Sequence, residues 1–309
     1  MSTGDTSSNE VSIDAALVRR LVAGQFPQWA ELPVVRSGAQ GVDNATYRLG
    51  AEMSVRLPRY ARWEGQVERE QRWLPRLAPH LPLPVPVPLA QGVPAEGYPF
   101  PWSVYRWLEG ERADPAGLVD PSGAAADLAG FLTALQGIDA ADGPPPEWSN
   151  GFRGVPMADE RDSAVVEARI RPRIAALAGL ADTGALTAVF ETALAAPAWH
   201  GPPVWVHGDP APANLLAVDG RLSAVIDFGT LGVGDPACDL IAAWTLLPAE
   251  ARGVFRTALS IDDATWARGR AWGLSAVLPA PAELSSADPA RAARARHLLD
   301  DLVTDHRLS

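Results

Sequence analysis

Three side chains that could bind a cation or a proton flank the hairpin of one short stretch of this sequence: Asp209, Asn214 and Asp227, in VWVHGDPAPANLLAVDGRLSAVIDFG, residues 204–229. Val204–Val206 is a short apolar strand that stops at His207-Gly208-Asp209, and Asn214 comes five residues after Asp209. Leu215–Val218 is apolar, Asp219-Gly220 is a strong signal for a two-residue hairpin turn, and Leu222–Ile226 is apolar again. Such a hairpin brings Asn214 and Asp227 close together at one edge, within reach of Asp209 on the preceding loop. Two oxygen ligands beside a loop carboxylate suit a hard cation such as Mg2+, completed by phosphate oxygens and water. The third group then accepts the proton of an attacking hydroxyl, which is the arrangement that phosphoryl transfer needs. Taken singly, each residue has a plainer reading: Asp209 caps a turn, Asn214 starts a hairpin, and His207 is structural. The joint spacing is what points to chemistry.

The elements that must position these groups divide in character along the chain. Ser12–Phe26 has Ile13, Leu17, Val18, Leu21 and Val22 at helical spacing, with Ser12 as the expected cap. Short strand-like pieces follow at Leu32–Val35, Ala45–Leu49 and Met53–Leu57, separated by Gly and Asp or Asn. A helix is expected from Glu64 to Leu77, with Pro75 placed to end it early. LPLPVPVPL, residues 81–89, carries four prolines and so reads as an edge or polyproline stretch rather than a central strand. Residues 99–110 read as a strand running into a connector. Helical patterns then dominate, at Ser122–Gln136, Arg161–Leu180, Leu186–Ala195, Leu240–Leu247, Asp262–Val277 and Pro289–Leu302.

The run H-x-D-x-x-x-x-N, then a hairpin, then D-F-G, matches the protein-kinase catalytic pattern with His-Gly-Asp in place of His-Arg-Asp. With HGDPAPANLL and AVIDFGTLGVGDPACDL together, the sequence resembles the aminoglycoside phosphotransferase family of small-molecule kinases. The resemblance implies an α+β, protein-kinase-like fold: a small N-terminal antiparallel-sheet lobe and a larger, mainly helical C-terminal lobe. It divides the chain into a nucleotide-binding lobe at 1–104, a connector at 105–109 and a catalytic and substrate-binding lobe at 110–309. It makes Asp209 the catalytic base and Asn214 and Asp227 the Mg2+ ligands, with His207 and Asp235 organising the catalytic loop. Asp235, before Pro236, also reads as a helix cap; Asp239 reads as a solvated or supporting residue, and Cys238 as core.

In the N-terminal part, Ser37–Asn44 (SGAQGVDN) would cover nucleotide phosphates, with Gly38 and Gly41 allowing positive φ and close backbone approach. The basic phosphate contact would be Arg56 in MSVRLPR, paired with Glu70, or with Glu68 as the competing choice. Here the sequence departs from the usual pattern, which has Lys on that strand. The two are not interchangeable, because the guanidinium is a larger, planar fork. The nucleotide base would lie on the connector, with Arg106 and Leu108 among its contacts. Trp102, Tyr105 and Trp107 could stack on a base, though core packing is the commoner fate of such residues.

Composition narrows the partners. Apolar residues make up 47% of the 309 residues, enough to bury a sizeable core in two lobes. The net charge is −11, from 26 basic and 37 acidic residues, and every basic residue is Arg. Nucleic acid and anionic membrane are therefore not expected partners. One cysteine permits no internal disulfide, and no apolar run or basic leader marks a membrane span or secretory signal, so a cytoplasmic location is expected. Asp300, Asp301 and Asp305, with the pair Asp262–Asp263, could face a cationic acceptor, but such charge runs are ordinarily solvated, and no acceptor residue is assigned. The expected activity is ATP- or GTP-dependent, Mg2+-requiring transfer to a hydroxyl of a small molecule, with an antibiotic of aminoglycoside, macrolide or nucleoside type foremost. A metabolic kinase for an amino alcohol, sugar or amino acid is the alternative, and a nucleotide-binding pseudoenzyme is a third reading, motivated by Arg56.

Overall fold

The first apolar helix, α1 (Ala15–Gln25), buries Leu17, Val18, Leu21 and Val22 on one face, as their spacing dictates. Its cap is not Ser12 but Asp14, whose carboxylate accepts the Leu17 amide at 2.7 Å. Asp14 sits three residues before that amide, the separation at which a cap side chain reaches an orphan N–H. The computed structural model describes residues 10–38, 43–157 and 160–308. They form two compact units: one runs to Pro79 and adds Pro84–Glu109 and Ile226–Gly229, and the other holds His80–Leu83, Gly110–Val225 and the chain from Thr230.

The first unit is a five-stranded antiparallel sheet in the order β1-β2-β3-β5-β4, made of β1 (Val34–Arg36), β2 (Asn44–Leu49), β3 (Met53–Pro58), β4 (Pro88–Gly92) and β5 (Trp102–Arg106). Between β3 and β4 runs helix α2 (Gly65–Leu77). Alternation along the strands gives the sheet two different faces. Val55, Leu57, Trp102 and Val104 join Tyr47, Leu49 and the apolar side of α1 in one core. Arg56, Ser103 and Tyr105 alternate with those residues and so lie on the other face, where Gln71 of α2 donates to Ser103 at 2.9 Å. Pro75 does not end α2, which continues to Leu77. In the last turn a proline forfeits one backbone bond, a loss that Trp73, Leu74 and Leu77, all buried, outweigh. The proline-rich stretch enters β4, which is an edge strand, where missing amide donors are tolerated.

The second unit is mainly helical: α3 (Pro121–Gln136), α4 (Glu160–Ala175), α5 (Thr183–Ala195), α6 (Ala242–Thr245), α7 (Ala249–Leu259), α8 (Asp263–Val277), α9 (Pro281–Leu284) and α10 (Pro289–Leu308). Two small sheets carry the motif residues. One is β6 (Glu111–Arg112), β8 (Leu215–Val218) and β9 (Arg221–Val225); the other pairs β7 (Val204–Val206) with β10 (Gly232–Gly234). The β8–β9 hairpin turns at Asp219-Gly220, with φ of 50° and 71°, the double left-handed turn expected of that dipeptide. Residues 240–247 are not one α-helix: a 3-10 helix, Pro236–Ile241, precedes the single turn of α6. Helix α8 is buried nearly all round, and its arginines are paired there, Arg268 with Asp235 and Arg270 with Asp305. Asp301 likewise pairs with Arg252, so these C-terminal acids serve structural ion pairs. Trp244 and Trp266 pack in the same core, their rings tilted at 50° with centroids 4.8 Å apart. Among the described residues no helix is long and apolar enough to cross a membrane.

Candidate functional site

In the second unit, β7 pairs with β10 with Trp205 opposite Val233, and this ladder delivers the chain to His207, which is fully buried. The next turn requires glycine. Gly208 has φ of 87°, and a Cβ there would come within 2.7 Å of Arg153 Cγ and 2.8 Å of the Thr230 carbonyl. The loop backbone is held by Asp239, whose carboxylate accepts the His207 amide at 3.0 Å and the Gly208 amide at 2.6 Å. Asp239 is completely buried, not solvated. Burial pushes its carboxyl up to about 7, against the pull of the two amides. His207 Nδ1 accepts the Asp209 amide at 3.2 Å, and its carbonyl accepts the Thr230 hydroxyl at 2.9 Å.

The Asp209 carboxylate is oriented from two sides. Asn214 Nδ2 donates to Asp209 Oδ2 at 3.0 Å and to the Asp209 carbonyl at 2.9 Å. Arg153 Nη2 lies 3.9 Å from Oδ1, with its guanidinium 4.9 Å from the Trp272 ring centroid. The Asn214 nitrogen is committed to Asp209, which leaves its side-chain oxygen as the other polar atom of the amide. Asn214 ends the short turn Pro212–Asn214 and enters β8 directly, so hairpin and loop share it. Asp235 turns elsewhere. It accepts the Ala237 amide at 3.0 Å as a cap and binds Arg268 Nε at 2.7 Å. The acid on the loop backbone is thus Asp239 rather than Asp235.

The first unit gathers Arg56, Glu70 and Asp227. Arg56 Nη1 bonds Glu70 Oε1 at 3.1 Å, and Nη2 lies 3.1 Å from Asp227 Oδ1. Glu68 is exposed and takes no part. Glu70 is almost wholly buried and also accepts the Phe228 amide at 3.0 Å and the Tyr105 hydroxyl. Burial opposes the Arg56 charge, but Glu70 and then Asp227 outweigh it and hold the guanidinium ionised. Burial pushes the Glu70 carboxyl up, and Arg56 draws it back. Residues 226–229 are secured further by α2: Arg69 Nη1 donates to the Gly229 carbonyl at 2.5 Å, and Gln66 packs where a Cβ on Gly229 would stand. Asp227 itself is left-handed, with φ of 65°.

Other predicted contacts fare differently. Gly38 does not have a positive φ, and a Cβ there would meet nothing within 4 Å; Gly41 lies outside the described residues. In the connector the Arg106 amide donates to Val87 O at 2.9 Å and the Trp107 amide to Glu52 O at 2.7 Å, so neither amide is open to a base. Leu108 follows, half-buried. Trp102 is fully buried core, in an edge contact with Phe26. Trp107 lies under the Arg48 guanidinium, 4.5 Å from it.

The sequence profile of the phosphotransferase enzyme family matches residues 34–272. The chain belongs to that family. Members with solved structures share its kinase-like architecture. An aminoglycoside 2'-phosphotransferase-IIIa in complex with GDP is 18% identical with a TM-score of 0.67, over 95% of this chain and all (100%) of that one. The macrolide 2'-phosphotransferase MphH from Brachybacterium faecium is 25% identical with a TM-score of 0.58, over 93% and 98%. The ADP-bound aminoglycoside phosphotransferase APH(2'')-Ib is 18% identical with a TM-score of 0.56, over 94% and 97%. No curated protein matches significantly.

Within this member of the family, sequence reasoning passed over Arg153 and the Tyr105 hydroxyl, and left Asp239 open as solvated or supporting. For Asp239 a signal existed: it is the single charged residue in the apolar run Pro236–Trp244, and an acid in such a run must be buried with donors. Arg153 stands in a loop with no local pattern. Its Nε is buried without a hydrogen-bond partner among the described residues.

Proposed function

We propose that this chain transfers the γ-phosphoryl group of ATP or GTP to a hydroxyl of a small molecule, with an antibiotic as the leading acceptor class. One observation carries the reading: Asn214 spends its amide nitrogen on Asp209, which fixes the carboxylate and keeps the Asn214 oxygen available as a hard donor. Family membership supports the reaction class, and relatives described with GDP, ADP and macrolide activity support its donor and acceptor classes.

Asp209 accepts the acceptor hydroxyl's hydrogen bond, aligns its oxygen and takes its proton as that oxygen bonds to the γ-phosphorus. The bond to the β–γ bridging oxygen breaks, and the nucleoside diphosphate leaves with the electron pair. Arg56, kept charged by Glu70, binds phosphate oxygens as a fork. His207 and Asp239 keep the Asp209 loop in place. Asn214 and Asp227 are the residues that would hold Mg2+, as hard oxygen donors. The bound metal would neutralise phosphate charge. Among the described residues no three His, Cys, Asp or Glu side chains form a metal site of their own. The location expected for this activity is cytoplasmic.

A second reading, a metabolic kinase for an amino alcohol, sugar or amino acid, gains from the C-terminal acids. Asp301 and Asp305 are engaged by Arg252 and Arg270, so they are not an acidic surface offered to a polycation. The test is Mg2+-dependent nucleoside diphosphate release with ATP and GTP against aminoglycosides, macrolides, nucleosides and amino alcohols. Asp209→Asn is expected to lower turnover by ~10²–10⁴ while nucleotide binding is retained. Full activity in Asp209→Asn would defeat the assignment of the base.

A further inference from the structure

We infer that Tyr105 is a positioning residue for the nucleotide phosphates, acting through Glu70 on Arg56; this rests on the nucleotide-binding reading of Arg56 above. In the β3–β5 ladder Ser54 lies opposite Tyr105 and Arg56 opposite Ser103, which sets Arg56 and Tyr105 diagonally on one face. Tyr105 is 2% exposed and Glu70 3%. The Tyr105 hydroxyl donates to Glu70 Oε2, and the Phe228 amide donates to Oε1 at 3.0 Å. Arg56 Nη1 then spans the same carboxylate, 3.1 Å from Oε1 and 3.4 Å from Oε2. Each carboxylate oxygen therefore has a fixed donor besides the arginine.

Arginine at this position makes that fixing necessary. A guanidinium is a rigid planar fork, and with Nη1 on Glu70 and Nη2 on Asp227 its plane is set by both acids at once. If the Glu70 carboxylate rotates, the fork turns with it, and the direction offered to phosphate changes. A lysine ammonium is a point charge with rotatable donors and tolerates that rotation. The hydroxyl of Tyr105 is thus coupled to the residue type at position 56. The ring lies 5.9 Å from Arg56 Cζ, a contact that phenylalanine would keep, so Tyr105→Phe isolates the hydroxyl.

The experiment measures binding of MgADP and MgGDP to the full chain by calorimetry, for the parent, Tyr105→Phe, Arg56→Lys and the double variant. Tyr105→Phe should weaken binding of the preferred nucleotide by about tenfold, the scale of one hydrogen bond to a charged group. In the Arg56→Lys background the same change should cost less than about twofold, because interacting residues are non-additive. Parent-like binding by Tyr105→Phe, or an equal loss in both backgrounds, overturns the inference. Thermal melting separates a folded variant from an unfolded one. Glu70→Gln tests the link by a second route and should lose at least as much affinity as Tyr105→Phe; parent-like binding there also overturns it. A parent protein that binds neither nucleotide defeats the underlying kinase reading and the inference with it, whereas a binding parent with an indifferent Tyr105 defeats the inference alone.

Discussion

Glu70 in the first unit and Asp239 in the second are both buried carboxylates that hold functional segments, yet they do so with opposite kinds of partner. Glu70 faces a guanidinium, a phenol and one backbone amide. Asp239 faces two backbone amides, and the charges that act on it, Arg153 and Asp209, rank below those bonds. The difference has a physical consequence. A carboxylate paired with a cation leaves an uncompensated buried charge when it is removed, whereas one that accepts only amides leaves unpaired dipoles. The cation-paired acid therefore tolerates substitution least, and the amide-paired acid, pushed up to about 7 by burial, makes stability depend on pH.

Four measurements sharpen or break that contrast. Glu70→Ala should cost the most, about 3 kcal/mol or more in chemical denaturation, because it strands the buried Arg56 with Asp227 alone. Asp239→Asn should cost about 1–3 kcal/mol, since the amide oxygen still accepts one of the two N–H groups. A larger loss for Asp239→Asn than for Glu70→Ala would reverse the comparison. The third is pH dependence. With its carboxyl raised to about 7, Asp239 binds a proton in the folded chain that the unfolded chain has released. Its contribution is whole below the unfolded value of about 4 and is lost as pH rises through 7. The stability of the parent relative to Asp239→Asn should thus fall between about pH 4 and about pH 7 and level off above; a constant difference would show that Asp239 titrates elsewhere. The smallest effect belongs to Asp14, which also accepts a backbone amide, but at a surface helix end. Asp14→Ala should cost about 1 kcal/mol and Ser12→Ala almost nothing, measured by the same denaturation.

The contrast also marks where sequence reading worked. The hairpin, and the meeting of Asn214 with Asp209 beside it, were legible because they rest on local chemistry: a turn dipeptide, apolar runs and fixed spacings. The pairing of Arg56 with Glu70 rather than Glu68 was legible as a choice between two, and packing decided it: one acid is buried by α2 and the other faces solvent. Helix α7 escaped notice because one of its inward residues is Arg252, whose partner Asp301 lies on α10, so the apolar period is interrupted by a charge that only packing explains. The region 236–247 misled in the opposite sense. Its apolar composition suits a buried helix of either pitch, and composition does not choose between them.

By itself the sequence determined the family, the alternation of strands with a following run of helices, and the hairpin with its motif residues. Each depends on residues near one another along the chain, where backbone geometry leaves few options. Tertiary structure alone decided that Asp239 and not Asp235 secures the backbone at His207 and Gly208, that Arg153 lies beside Asp209, and that Tyr105 completes the shell of Glu70. Those contacts join residues from 32 to 56 positions apart: Asp239 is 32 from His207, Arg153 is 56 from Asp209 and Tyr105 is 35 from Glu70. At such separations what matters is which buried donors must find acceptors once the elements pack, a demand no local pattern expresses.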